Sequence, residues 1–250
     1  ISFGIGGIAM FLLMLSKTKL RPERLDMRLD REILSETFTI GLPALGTTFV
    51  SCFGYIAFAR MVSGMGTTIF AAHSIAITAE QIVYIPGYGL RVATSTLVGN
   101  ALGEKDIRKL KATGRVSILI TLLIMVVNGI GLYLFAYPFM RLFTNSVNAA
   151  RIGSEMLRLV SFSEPFFGLM IVLEGISYGM GRTKHVFACE AVSMWGIRIF
   201  GTFLCVNVFG LGLKAVWLCM IADNICKAIL LYIFRPKHVE ENADDRGELR

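Results

Sequence analysis

The sequence predicts an all-α polytopic membrane protein: a six-helix transmembrane bundle preceded by a truncated helix. Three observations predict it. Apolar residues come in long blocks, charge is scarce, and the basic loops alternate along the chain. Of the 250 residues, 54% are hydrophobic and 17% charged, with a mean hydropathy of +0.64. A soluble domain carries about 25% charged residues.

Six blocks reach the roughly 20 apolar residues that a bilayer crossing requires. They run over 33–61, 68–101, 116–139, 154–178, 186–209 and 214–234. A shorter block at 1–15 lacks an initiating Met, a basic flank and a small-residue cleavage site, so it does not read as a signal peptide. The expected organisation is the end of a truncated helix at 1–15, a cytoplasmic linker at 16–32, the six-helix lobe at 33–234 and a charged cytoplasmic tail at 235–250.

Charge tests that segmentation independently, because cytoplasmic loops hold the excess of Lys and Arg. One basic group is Lys17, Lys19, Arg21, Arg24, Arg28 and Arg31. The second is Lys105, Arg108, Lys109, Lys111 and Arg115. Arg182 with Lys184 follows, then Arg235, Lys237, Arg246 and Arg250. The intervening connections are poor in bases: none at 62–68 or 207–213, and Arg141 and Arg151 in the third. This alternation predicts a multi-pass protein of the cell membrane with its C-terminus in the cytoplasm. It also accounts for the net charge of +7 by contact with anionic lipid, without nucleic acid.

The five cysteines, Cys52, Cys189, Cys205, Cys219 and Cys226, all fall inside predicted spans without a CxxC pair. They read as small core residues, not as a zinc site or disulfide framework. No nucleophile triad or Gly-rich phosphate loop stands out, so neither an enzyme nor a cofactor is expected.

An ionisable group within a span costs about 2.5–3.5 kcal/mol on insertion scales, so each calls for a partner or a function. The acids are Glu80, Glu164, Glu174, Glu190 and Asp223; the bases include Arg91, Arg198 and Lys227. At a rise of about 1.5 Å per residue, Glu80, Glu164, Asp223 and Arg198 fall near the midplane. Glu174, Glu190 and Arg91 fall near the cytoplasmic edge. His73, Glu80, Tyr84, Gly87, Arg91 and Thr94 recur at spacings of three, four and seven, on one helical stripe. That stripe is either the wall of a cation- or substrate-binding cavity or a buried network that ties helices together. Glu164, beside Pro165, suits a cation or proton site. Glu174 is within range of Arg182 or Lys184. Asp223 and Lys227, an i,i+4 pair, most simply neutralise each other. Arg198 is expected to anchor a carboxylate on another helix, and Glu190 belongs to the same structural set. Tyr84 and Tyr88, with Tyr55 and Phe166, suit an aromatic lining for cations.

Five runs then stand out in order: Ile40-Gly41-Leu42-Pro43, Ala71-Ala72-His73-Ser74-Ile75-Ala76, Thr96-Leu97-Val98-Gly99-Asn100-Ala101-Leu102-Gly103, Gly179-Met180-Gly181-Arg182-Thr183 and Trp195-Gly196-Ile197-Arg198. They resemble five elements of the multidrug and toxic compound extrusion (MATE) transporters. These are the start of the seventh helix, the two ends of the eighth, the turn after the tenth and an element of the eleventh. The resemblance implies the C-terminal half of a twelve-helix, two-lobe exporter, with the end of helix six, the inter-lobe linker and helices seven to twelve. It also implies export of small, cationic, amphipathic molecules by exchange with Na⁺ or H⁺ between the lobes, with an N-terminal lobe as the other wall. The chain departs from the family where many members carry a helix-seven Glu, here Ser51, and a helix-ten Asp, here near Phe167 or Gly168. Glu80, Glu164 and Glu174, with Tyr84 and Tyr88, are therefore the expected cation and substrate residues, chosen by depth and face. Any bound Na⁺ would sit at these acids. In some relatives the coupling acid lies in the other lobe. Two alternatives remain: a lipid-linked-precursor flippase of the same superfamily, which calls for a more cationic cavity, and a non-transporting membrane scaffold.

Overall fold

The computed structural model describes residues 2–17 and 30–234. Among them there are helices and short connections and no strand. Most of the expected linker, and all of the expected tail, lie outside the described residues. By packing, the chain divides into Ile1–Thr39 and Ile40–Arg250. In the first unit α1 spans Ser2–Lys17 and leaves Ile5, Ile8, Met10 and Phe11 exposed.

Helix α2 spans Arg31–Ser63. It is followed by α3 (Thr67–Gly103), α4 (Ile107–Phe143), α5 (Val147–Ser161), α6 (Glu164–Gly179), α7 (Thr183–Val208) and α8 (Leu213–Ile233). By length and composition α2, α3, α4, α7 and α8 can each cross a membrane; α5 and α6 make a sixth crossing if the pair, bent by 61°, is one span. Helices satisfy their backbone groups internally, which a bilayer core demands. Their outward faces are apolar to match: Leu119, Leu123, Val127, Ile130 and Leu134 along α4 are all exposed or half-exposed.

Local chemistry explains the ends. Lys105 turns the chain with a φ of +57°, and Asp106 then caps α4, accepting the Lys109 N–H at 2.8 Å. Ser146 caps α5 by accepting the Ala149 N–H at 3.3 Å, so the fourth crossing begins earlier than its apolar run suggests. Pro43, Pro86 and Pro138 sit within unbroken helices. Pro165, in the first turn of α6, has no N–H to offer the Ser161 carbonyl, and α5 ends at that residue.

The bend rests on Gly129 of α4. A Cβ there would lie 2.7 Å from the Ser161 carbonyl oxygen and 3.2 Å from Glu164 Cβ. Gly129→Ala is therefore expected to push α4 from the bend and cost about 1–3 kcal/mol. The check is thermal melting of the purified protein; an unchanged melting temperature refutes this seat.

The core is layered. One apolar cluster contains Phe58, Ala76, Ala79, Leu132, Ala136, Val160, Val216, Trp217 and Met220. The other contains Tyr84, Met125, Phe167, Ile171, Val186, Ala228 and Leu231. Glu80, Gly129 and Asp223 each fall between the two clusters along their own helices, and Glu164 falls between Val160 of α5 and Phe167 of α6. The polar groups thus occupy a level that apolar packing closes off on both sides.

Candidate functional site

Helices α3 and α6 run side by side in the same direction, and their contacts advance together. Tyr84 stacks on Phe167 with ring centroids 3.8 Å apart. Arg91 Nη1 lies 3.0 Å from Glu174 Oε2. A Cβ on Gly175 would meet the Arg91 carbonyl at 2.7 Å, and one on Gly179 the Ser95 carbonyl at 2.5 Å, so glycine permits this approach. One turn back from the Tyr84–Phe167 stack, the same register sets Glu80 opposite Glu164. Each is buried, 2% and 0% exposed, and Glu164 lies within electrostatic reach of Glu80. The Tyr84 hydroxyl donates to Glu80. Among the described residues, neither oxygen of Glu164 has a hydrogen-bond partner.

Helices α7 and α8 run in opposite directions, so acid and base alternate between them. Lys227 Nζ of α8 lies 2.5 Å from Glu190 Oε2 of α7. Arg198 Nη2 of α7 lies 2.8 Å from Asp223 Oδ2 of α8. Arg198 sits on a π-turn, Met194–Ile199, a feature frequent at functional sites. Its guanidinium lies over the rings of Tyr55 and Phe58, 5.5 and 5.8 Å from their centroids. Ser193 donates to the Asp223 carboxylate and, at 2.9 Å, to its backbone carbonyl. The Ser51 hydroxyl donates to Glu190 Oε1 at 2.5 Å, which joins α2 to the pair.

The expected stripe on α3 faces inward: His73, Glu80, Tyr84, Gly87 and Thr94 are buried, and Arg91 partly so. His73 is a packing node that accepts the Trp217 Nε1–H at 3.2 Å. Two expected pairings are corrected. Glu174 pairs with Arg91 on α3, not with Arg182 or Lys184, because the α3–α6 register brings Arg91 alongside it. Asp223 and Lys227 form no contact ion pair with each other, although Asp223 acts on Lys227 through space; α7 offers each an opposite charge directly across the helix interface. Arg198 does reach a carboxylate on another helix. Tyr88 lies under the Arg91 guanidinium, 5.2 Å from centroid to Cζ, and Phe166 is 45% exposed. Sequence reasoning did not single out Ser193 or Phe167 as members of this network. It marked Ser51 only as a departure from the family pattern.

Arg91, Lys227 and Arg198 each hold one acid, Glu174, Glu190 and Asp223. Glu80 and Glu164 have no base in contact among the described residues, although Arg198 acts on Glu80 through space. These two carboxyls are the groups able to take up a proton or a cation without first breaking an ion pair. Between α2 and α7, an open apolar groove of about 570 Å³ is lined by Phe49, Val50, Phe53, Ile56, Ala57 and Trp195.

Comparison with known proteins agrees with this architecture. The MatE family model matches residues 43–204. A "Probable multidrug resistance protein NorM" of Thermotoga maritima is 30% identical over 201 residues, 80% of this chain and 43% of that protein. One of Photorhabdus laumondii is 27% identical over 231 residues, 90% of this chain and 51% of that protein. The chain thus spans about half the length of the curated relatives it matches. A crystal structure of a MATE protein in the straight conformation superposes with a TM-score of 0.85 at 19% identity, over 97% of this chain and 55% of that one. A MOP-superfamily transporter from Pyrococcus furiosus gives 0.84 at 20% identity, over 95% and 54%. The match over most of the chain, and the bundle of membrane-length helices that carries it, place this multi-pass membrane protein in the MatE family.

Proposed function

We propose that the full-length protein is a secondary-active exporter of small amphipathic cations, driven by exchange for Na⁺ or H⁺, with Glu80 and Glu164 as the seat of exchange. The observation that carries this reading is the unmatched pair of buried carboxyls. Exchange needs a group that coupling ion and substrate occupy in alternation. A carboxylate already held by Arg or Lys is poorly suited to that task. Tyr84 and Phe167 close one side of the pair, and Tyr88 extends the aromatic surface. The groove beside Trp195 offers apolar surface for the hydrophobic part of a substrate.

No cofactor enters this reading. The substrate site is completed by a second lobe beyond this chain, and alternating access is rocking of the two lobes about it. The distribution of basic residues among the loops supports a cytoplasmic C-terminus. The flippase alternative has less support, because the partly exposed base of this network, Arg91, is already tied to Glu174.

The direct test is efflux of a fluorescent organic cation from vesicles that contain the full-length protein, under imposed Na⁺ and then H⁺ gradients. Acceleration by one gradient is the expected result. Coupling to neither overturns the antiport reading.

A further inference from the structure

We infer that the Lys227 ammonium takes the place of a bound monovalent cation in this lobe, so that the ion-paired level balances its own charge without an ion from solution. The inference stands on that level alone and survives even if Glu80 and Glu164 prove idle.

Three helices meet at this charge. Lys227 reaches from α8 to Glu190 Oε2 of α7 at 2.5 Å. The other oxygen of Glu190 takes the Ser51 hydroxyl of α2 at 2.5 Å. Both members of the ion pair are enclosed, with side chains 8% exposed. The Asp223 carboxylate, and more weakly that of Glu174, also acts on Lys227 through space, opposed in part by the Arg198 guanidinium. A primary ammonium is a compact point charge with three donors; here it meets the Glu190 Oε2 oxygen directly, and so supplies the positive charge that this carboxylate needs. The local balance is even: Glu174, Glu190 and Asp223 against Arg91, Lys227 and Arg198. Without the ammonium, Glu190 would keep a single hydroxyl donor. A buried carboxylate left in that state is strongly unfavourable: it takes up a proton or, where alkaline solution keeps it ionised, draws in a cation.

The test is cation-dependent thermal melting of the purified full-length protein. Na⁺ is compared with N-methylglucamine at constant ionic strength, in alkaline buffer that keeps carboxylates ionised. Lys227→Met should melt several degrees below the unmodified protein in N-methylglucamine. It should also gain a stabilisation by Na⁺ larger than any that the unmodified protein shows. The double change Lys227→Met with Glu190→Gln should remove that gain, because both charges are gone. Lys227→Arg should show none. An Na⁺ response equal to that of the unmodified protein makes Lys227 a strut only and overturns the inference. So does an equal gain in the double variant. If Lys227→Met is not recovered from the membrane, recovery of the double variant supports the inference. Loss of the double variant as well overturns it, because Lys227 is then needed for more than its charge.

Discussion

Glu164→Gln in the full-length protein is expected to reduce coupled efflux to the level of empty vesicles while the protein still reaches the membrane. Glu80→Gln is expected to do the same. The substitution keeps the shape of the side chain and removes its ability to cycle between charged and neutral forms. Glu164 has no hydrogen bond to lose among the described residues, so the cost in stability is small. At Glu80 a Gln carbonyl still accepts the Tyr84 hydroxyl that now bonds the carboxylate. The variants therefore separate transport from folding. The measurement is initial efflux rate per molecule of protein in the membrane, under whichever gradient drives the unmodified transporter. Glu155→Gln is a suitable control: its carboxylate pairs with Lys214 at 3.1 Å on the surface and is 46% exposed. Unmodified rates from both Glu80→Gln and Glu164→Gln would sink the site assignment.

The second large effect is on stability. Arg198→Met is expected to destabilise the lobe by about 3–5 kcal/mol, because it leaves the Asp223 carboxylate buried without its cation. Asp223→Leu should cost a similar amount by orphaning the guanidinium. Both side chains are enclosed, 5% and 0% exposed, so water cannot compensate. The double variant Arg198→Met with Asp223→Leu should recover most of the loss, since an apolar pair of similar volume often matches a buried ion pair. Ser193 retains its bond to the backbone carbonyl at position 223 in each case. Thermal melting of the four proteins closes the cycle. Additive losses, with the double variant as unstable as the sum of the singles, would show that the two side chains act separately.

Much of the fold was legible because it depends on information within each helix. The five membrane-length helices, and the bent pair α5–α6 as a sixth segment, follow from apolar runs of bilayer length. The inward face of α3 follows from the 3.6-residue period that aligns His73, Glu80, Tyr84, Gly87 and Thr94. The family was legible from ordered local motifs. The bend at Phe162 was only half legible: Pro165 marked a break, but its 61° angle depends on how Gly129 of α4 receives the Ser161 carbonyl.

The polar network was less legible because partners are chosen between helices. Along one helix, Asp223 and Lys227 look like a self-neutralising pair. Across the antiparallel α7–α8 interface, each instead meets an opposite charge. Glu174 took Arg91 over nearer bases in sequence for a similar reason, since Gly175 and Gly179 bring α3 close enough to set the register.

The sequence by itself determined that this protein is helical, that it crosses a membrane several times, and that five acids lie inside those crossings. Hydrophobicity, charge and local periodicity suffice for that, and none of them needs a neighbouring helix. Only the tertiary structure decided which acids are already spoken for. Ion pairing within a bilayer-length bundle depends on distances of a few ångströms between helices: Gly175 and Gly179 let α3 approach α6 at the Arg91–Glu174 pair, and the antiparallel contact of α7 with α8 makes the other two. Among the described residues three of these acids have a base in contact, while Glu80 and Glu164 have none, and transport is to be tested at those two.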